Sequence, residues 1–470
     1  MTRFDASLGK NKSLTIEPWT PNYEQVPGAK GGQAKQPYRD FGGDRLSDNE
    51  KYYARDILEE EWELLCAKTW NIIGHLNDIP EQHNYMKVDL GRESFIIIRG
   101  KGEEVRAFYN VCQHRGTRIV RNDFGKALSF TCPFHQWVFT NDGKLSHVPG
   151  RETFREETLC RDLDLNPIRV DTWKGWIFIN MDMNAEPLND YLGERFRASL
   201  EAFEYRKFIR VYDVRQTWNV NWKAAIEAFI EGYHVTAVHP ELCTFMDDYY
   251  VQHDLYENGH GRSIFPFMMP AQSYLRSVNG KIDELNAEMK LFLQAAAVPE
   301  SEYPKRWQDV KKAVIAGKRK NQKALGFDFS QFSDDQLVDD WNLSFFPFAT
   351  FNTHPEGVLF QRWWPDAEDP RKTHYSLQIY AMAGECVVPS YMPISPEADR
   401  TGKKVLPVTR LEGMGGPALG PVVEQDVSLV PWYQAGAESR GFKGASYGEQ
   451  EIRVRQFYDE YYRYMSKRRR

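Results

Sequence analysis

Two stretches of this chain put metal-binding side chains at spacings that ordinary core packing does not require. The first, "VCQHRGTRIVRNDFGKALSFTCPFHQWVF", holds Cys112-x-His114 and, seventeen residues later, Cys132-x2-His135. Each short motif offers one thiolate and one imidazole from a single loop, and the strands between them can bring the two loops face to face. The second, "NWKAAIEAFIEGYHVTAVHPEL" (221–242), holds Glu227, Glu231, His234 and His239. On a helix Glu227 and Glu231 lie one turn apart on one face, with His234 on the same side. His239 is offset from His234 by about 140°, so the pair can share an ion only where the helix distorts or ends. Pro240 supplies that end, because the residue before a proline is pushed out of the helical region.

The donor types narrow the chemistry. A tetrahedral zinc site would take the same two thiols and two imidazoles, but common zinc sites pair Cys with Cys and His with His. One Cys and one His in each loop suits a Rieske 2Fe–2S centre, in which two thiolates hold one iron and two imidazoles the other. Gly116 and Pro133 permit tight turns, and Trp137 is placed to shield such a cluster. Two neutral imidazoles and one carboxylate on one face of a metal, with the remaining positions open, form the facial triad of non-haem Fe(II) oxygenases. Open positions let dioxygen and substrate meet at iron, a task no amino-acid side chain performs.

These residues need a scaffold, and the pattern of the chain supplies one. Residues 1–47 are rich in Gly, Pro, Lys and Gln and read as an arm. "DNEKYYARDILEEEWELLCAKTWN" has helical spacing with Asp48 or Asn49 as cap, which predicts a leading helix over 48–70. Short alternating runs ("SFIIIRG", "VRAFYNV", "WVFTNDGKL", "GWIFINM") predict a small antiparallel β-domain over 71–182, with Asp-Gly marking a hairpin. Helices over 188–206, 221–239 and a Lys-rich 303–325 with a solvated charged face, the strands "NLSFFPFATFNTH", "GVLFQRWWP" and "THYSLQIYAMAG", and a closing helix from "EQEIRVRQFYDEYYRYMSK" predict a second α+β domain over 183–470. No internal repeat is visible.

Composition excludes several classes. At 41% hydrophobic and 14% aromatic residues the chain is not a disordered one. The net charge of −6 offers no field for nucleic acid, and the terminal "SKRRR" reads as a solvated end. No apolar run reaches the roughly eighteen residues that cross a bilayer, and the first fifty residues lack the order of a signal peptide. These features predict a cytoplasmic protein without a membrane partner. The cysteines outside the motif, Cys66, Cys160, Cys243 and Cys386, read as buried small hydrophobes; the remaining histidines (His75, His83, His147, His253, His260, His354, His374) lack partners at metal spacing.

The fragments "CQHRG…CPFHQW", preceded by "VRAFYNV" and followed by "GWIFINM", resemble the Rieske domain of the aromatic-ring-hydroxylating oxygenase α-subunits. "NWK…E-x3-E-x2-H-x4-H" resembles the mononuclear-iron motif of the same family, so the likeness spans most of residues 48–460. It implies an α+β fold in which a small Rieske domain sits in a chain whose larger C-terminal catalytic domain packs helices on an antiparallel, START-like sheet. It implies a terminal oxygenase that takes electrons from NAD(P)H through a partner reductase or ferredoxin. They reach the mononuclear Fe(II) by way of a 2Fe–2S cluster on Cys112, His114, Cys132 and His135, and dioxygen then hydroxylates an organic substrate by dihydroxylation or monooxygenation.

The resemblance further implies His234 and His239 as iron ligands and a distant aspartate as the third. "GPVVEQDVSLV" is where this chain resembles that region, which assigns Asp426, with Glu424 as neighbouring competitor and Asp339 or Asp340 as poorer ones. Glu231 stands where the family more often has aspartate. The resemblance implies that the carboxylate there joins its own His234 to His135 of the next chain, in a head-to-tail α3 assembly to which a β-subunit is sometimes added. Glu227 is a second acid for proton or hydrogen-bond work, with capping and surface roles as its alternatives. "SIFPFMMP" and "FFPFATF" predict an apolar or aromatic substrate, although the same residues would make an equally good core. Two other classes predict different chemistry: a non-catalytic ligand-binding protein with structural zinc, and a Rieske electron carrier without oxygenase activity.

Overall fold

The computed structural model describes residues 45, 46, 48–384 and 386–466. The expected N-terminal arm, apart from Arg45 and Leu46, and the basic residues 467–470 lie outside the described residues.

The larger domain is organised by one eight-stranded sheet in the order Gln252–Leu255, Gly261–Phe265, Asp340–Phe345, Ala349–His354, Gly357–Pro365, Thr373–Met382, Phe208–Trp218 and Thr409–Arg410. Every pairing is antiparallel except the short last one. The central strand Gly357–Pro365 is buried along its whole length, so both faces of the sheet are covered. Asn342 pairs with Asn352, and Asn352 with Leu359, which sets these residues in a row across three strands. Helices Gly420–Ala437 and Ile452–Met465 lie over the fold, each through an apolar stripe that joins the same buried cluster as Trp218, Trp222 and Trp363.

The smaller β-domain contains a four-stranded sheet (Val105–Tyr109, Glu93–Arg99, Asn84–Leu90, Phe124–Lys126) and a three-stranded one (Ser129–Thr131, Val138–Thr140, Leu145–His147). The Asp-Gly hairpin forms as expected, closed by Thr140 N–H donating to the Lys144 carbonyl at 2.8 Å. Gly143 sits there at φ +88°, where a Cβ would meet the Phe108 ring at 2.5 Å. The core of this domain includes Ile96, Phe130, Trp137 and Phe139 and takes in Cys112 and Cys132. The chain is therefore α+β, a small antiparallel domain beside a helix-covered antiparallel sheet.

Three local expectations are corrected. The leading helix is not continuous: a 3-10 turn Asn49–Tyr52 and a helix Arg55–Glu61 pass into a π-turn Trp62–Cys66. Neither Asp48 nor Asn49 caps it; Asp48 pairs with Lys51 at 3.2 Å. The Lys-rich helix begins only at Val310, and its charge is not all solvated. Lys318 is buried, donating to the Leu337 carbonyl at 2.7 Å and pairing with Glu356 at 2.6 Å. Cys160 is exposed and Cys386 half-buried, rather than being small hydrophobes of the core.

Candidate metal centres and substrate cavity

The stretch 221–239 is not one helix but two short ones, Trp222–Glu227 and Val235–Val238, separated by an irregular turn. The cause is local. Glu231 Oε2 accepts the backbone N–H of His234 at 3.2 Å and that of Tyr233, offering the chain an alternative to helical hydrogen bonds just beside Gly232. The second helix then ends at His239, which adopts φ −120°, ψ 61° ahead of Pro240. These two breaks turn His234 and His239 toward each other, with Nε2 atoms 3.2 Å apart and rings at 77°.

Asp426 completes the group from the helix Gly420–Ala437, on the face it shares with Val423, Val427 and Val430. Its Oδ1 lies 3.0 Å from His239 Nε2 and 3.5 Å from His234 Nε2. Among the described residues these three are the only group of His, Cys, Asp and Glu side chains arranged to hold a single metal ion, with donor atoms within 4.8 Å of one another. The competitors lie elsewhere. Glu424 is about 200° around the helix from Asp426 and accepts the Gly416 N–H. Asp339 is paired with Lys311 at 2.6 Å, and burial, partly offset by that lysine, lifts its carboxyl to about 6. Asp340 accepts from Asn352 and Tyr391, further along the sheet.

Each histidine has its outer nitrogen engaged, which leaves the inner one for a metal. Glu231 Oε1 takes the Nδ1 of His234, and Gln425 Oε1 lies 2.6 Å from the Nδ1 of His239. Gln425 was not singled out from the sequence; an amide beside a ligand carries no spacing signal of its own. Although burial opposes charge on His234, Glu231, and after it Asp426, raise that imidazole to about 9. The two carboxylates thus favour positive charge at this point, which a divalent cation would supply. The donor set fits a mononuclear iron.

Glu227 stands apart from this group. It is buried, accepts from the hydroxyls of Tyr52 at 2.7 Å and Tyr433 at 2.6 Å and from Tyr458, and shares neither a helix face nor a hydrogen bond with Glu231. Capping and surface roles are thereby excluded. It faces a cavity of about 370 Å³, also lined by Glu231, His234, Tyr447 and Glu451. Burial, followed by the charges of Glu231 and Glu227, raises Glu451 to about 7.

In the β-domain the two loops repeat one backbone design. Cys112 N–H donates to Thr117 O and Gly116 N–H to Cys112 O; Cys132 N–H donates to Trp137 O and Gln136 N–H to Cys132 O. The fifth residue of each loop has positive φ, +79° at Gly116 and +59° at Gln136. This arrangement brings the His114 and His135 rings to 4.5 Å and stacks His114 on Trp137 at 4.8 Å. Both thiols are buried, and Cys112 is pushed up to about 11 by burial, with Cys132 beside it adding to the rise. His135 Nδ1 is buried and has no hydrogen-bond partner among the described residues. An orphaned imidazole nitrogen beside two buried thiols fits a coordinated cluster. The four donors do not gather about one ion-sized point, as tetrahedral zinc would require.

A second cavity, of about 110 Å³, is lined by His234, His239 and Asp426. Its walls are apolar at Phe229, Val235, Leu242, Phe265 and Phe267 and polar at Asp340, Asn342, Asn352, Gln361 and Tyr391. "SIFPFMMP" contributes Phe265 and Phe267, whereas the phenylalanines of "FFPFATF" are core side chains that do not line it. Of the two runs expected to favour an apolar or aromatic substrate, one therefore lines the cavity and the other serves the core.

Comparisons with known proteins agree with this geometry. A family model described as the ring hydroxylating alpha subunit (catalytic domain) matches residues 201–467, and one described as the Rieske [2Fe-2S] domain matches residues 69–166. The α-subunit of 2-aminobenzenesulfonate 2,3-dioxygenase from an Alcaligenes species is 30% identical over 219 residues, 45% of this chain and 55% of that one. The oxygenase subunit of carnitine monooxygenase from Escherichia coli (strain K12) is 32% identical over 196 residues, 40% of this chain and 50% of that one. The chain thus spans about half the length of the curated relatives it matches. The apo structure of a quaternary ammonium Rieske monooxygenase superposes with a TM-score of 0.61 at 19% identity, covering 92% of this chain and 99% of the other. Naphthalene 1,2-dioxygenase with bound indole gives 0.61 at 20%, covering 90% and 92%, and both likenesses speak for the fold.

Proposed function

Because this chain belongs to the ring-hydroxylating α-subunit family, we propose that it is a terminal oxygenase that hydroxylates a small organic substrate in the cavity beside His234, His239 and Asp426. The observation that carries the reading is the convergence of those three donors on one point in the cavity wall, with a separate Cys2His2 set in the same chain. We assign the cluster to Cys112, His114, Cys132 and His135, and the mononuclear iron to the triad. When bound, the cluster supplies one-electron chemistry and the iron supplies the reduction of dioxygen. The rest is done by side chains of this chain. Glu231 and Gln425 fix the tautomer and orientation of the two ligand histidines. The walls formed by Phe229, Phe265 and Phe267 keep water from the reacting face and hold the hydrocarbon part of the substrate.

The finer elements of the reading are these. Electrons come from NAD(P)H through a reductase or ferredoxin. The units are the arm 1–47, the leading segment 48–70, the Rieske domain 71–182 and the catalytic domain 183–470. The protein works in the cytoplasm as a head-to-tail homotrimer. Among the described residues no helix is long and apolar enough to cross a membrane. The trimer is supported by exposed apolar side chains near both donor sets in sequence: Leu128 and Phe134 around the Cys–His loops, and Tyr233, Leu429 and Trp432 near His234 and Asp426. Glu231 would bridge to His135 of the next chain. Here its second oxygen is turned back onto the Tyr233 and His234 amides, so the bridge requires that oxygen to accept a further donor.

The test is metal and sulfide analysis of purified protein followed by turnover under labelled dioxygen with a surrogate reductase. Iron at both places, acid-labile sulfide, and one or two labelled atoms in the product are expected, two atoms meaning dioxygenation. Zinc without sulfide, or full activity in His234→Ala, would overturn the reading.

A further inference from the structure

The substrate cavity is lined by a carboxylate to which no lysine or arginine is hydrogen-bonded among the described residues. Asp340 and Asn342 are two residues apart on one strand, so their side chains leave the same face, and Asn352 stands opposite Asn342 on the next strand. Asp340 is 4% exposed and lines the cavity. Its Oδ2 accepts from Asn352 Nδ2 at 2.7 Å and its Oδ1 from the Tyr391 hydroxyl at 3.1 Å, both neutral donors. Its one ion-pair contact among the described residues is His354 Nε2 at 3.5 Å, and that nitrogen lies 2.6 Å from the Tyr391 hydroxyl. Arg453 donates to Asn342 Oδ1 at 2.7 Å rather than to the carboxylate.

Among the described residues no lysine or arginine lines the cavity. Its other two carboxylates, Glu231 and Asp426, already serve the histidine pair. Asp340 therefore presents a buried carboxylate to the space a substrate would fill; Arg453 feels its charge without bonding to it, so, His354 aside, a cation in the cavity would be its first direct partner of opposite charge among the described residues. Two well-buried amides also line the cavity with their nitrogens unused, Asn342 two residues along the same strand and Gln361 two strands away. Arg453 occupies the oxygen of Asn342, and the Tyr375 hydroxyl donates to Gln361 Oε1 at 2.6 Å. Neither Asn342 Nδ2 nor Gln361 Nε2 has a partner among the described residues, so both are available to an acceptor atom of the substrate.

We propose that this cavity selects a substrate carrying a protonated amine, with Asp340 as the specificity-determining carboxylate and the phenylalanine walls taking its hydrocarbon part. The proposal rests on reading this cavity as the substrate site. An amine placed on Asp340 gives that desolvated carboxylate a charge-assisted hydrogen bond. A carboxylate or sulfonate in the same place meets a like charge that two neutral amides do not offset.

The test is equilibrium binding to the holoprotein, anaerobic and without reductant, using three probes that share one ring: benzylamine, benzyl alcohol and benzoate at neutral pH. Benzylamine is expected to bind about tenfold or more tightly than benzyl alcohol, with benzoate weakest. In Asp340→Asn the amine preference should vanish while the affinity for the alcohol stays within about twofold. Benzoate or benzyl alcohol binding as tightly as benzylamine in the wild type would overturn the proposal, as would failure of all three to bind, or an Asp340→Asn protein that keeps the preference. If that variant does not fold, the wild-type ranking decides alone. No turnover is involved, so the ranking is read independently of whether the oxygenase reading survives labelling.

Discussion

Replacing Gln425 with Leu removes the acceptor of the His239 Nδ1 proton, held at 2.6 Å, and leaves that N–H without a partner. His239 is only 2% exposed, so water does not readily take the place of the amide. A buried donor stripped of its acceptor costs about 1–3 kcal/mol. If the whole of that cost falls on the metal-bound state, iron binding weakens about 5- to 150-fold. This range overlaps the roughly 10- to 100-fold typical of losing a residue that orients a metal ligand. The assay is an anaerobic Fe(II) titration against a competing chelator, with visible absorbance of the cluster as an internal control that should not change. Gln425→Glu keeps an oxygen at the same reach and should retain wild-type affinity or better. The reasoning is refuted if Gln425→Leu titrates like the wild type, or if Gln425→Glu loses as much as Leu.

Three further outcomes are expected. Lys223→Met strands the Glu61 carboxylate, which lies buried between Lys223, the Trp222 indole N–H at 2.9 Å and the Tyr461 hydroxyl at 2.6 Å. The loss should be about 3–5 kcal/mol by thermal unfolding, and adding Glu61→Leu should recover most of it; equal losses in the single and double variants would contradict this. Burial holds His75, His253 and His260 neutral, at about 4, 3 and 4, against about 6.5 in an unfolded chain. Their folded values are depressed, so the unfolded state binds more protons below about pH 6.5. Stability is then complete above that pH and falls on acidification toward pH 4, by up to about 4 kcal/mol per pH unit if all three are engaged. Melting temperatures at pH 7, 6 and 5 should fall, less steeply in His253→Gln, and a flat profile would dismiss the histidines as the cause. Gly232→Ala puts a methyl group 2.4 Å from Phe265 Cε1 in the cavity wall. An overpacking cost of about 1–3 kcal/mol is expected, relieved by Phe265→Leu in the double variant.

Much of the chemistry was legible because it is local. Cys112-x-His114 and Cys132-x2-His135 each place two donors on one loop, and the backbone of a loop that short leaves few ways to point them. The break before Pro240 was legible for the same reason, since a proline constrains its immediate predecessor wherever the rest of the chain lies. The break before His234 was not. It depends on the Glu231 side chain taking backbone N–H groups that a regular helix would have engaged, a contest whose outcome propensity does not set.

By itself the sequence determined the α+β order of elements, the pair of Cys–His loops, the His234–His239 stretch and the family the chain belongs to. Only the tertiary structure decided which carboxylate joins the histidines, that Gln425 orients one of them, that Glu227 lies in a tyrosine cluster instead, and that Asp340 faces the cavity. The physical reason is reach. Sequence spacing governs geometry over a few residues, whereas Asp426 meets His239 from 187 positions away. Asp340 reaches the cavity only through the register of three neighbouring strands, which packing sets and no motif records.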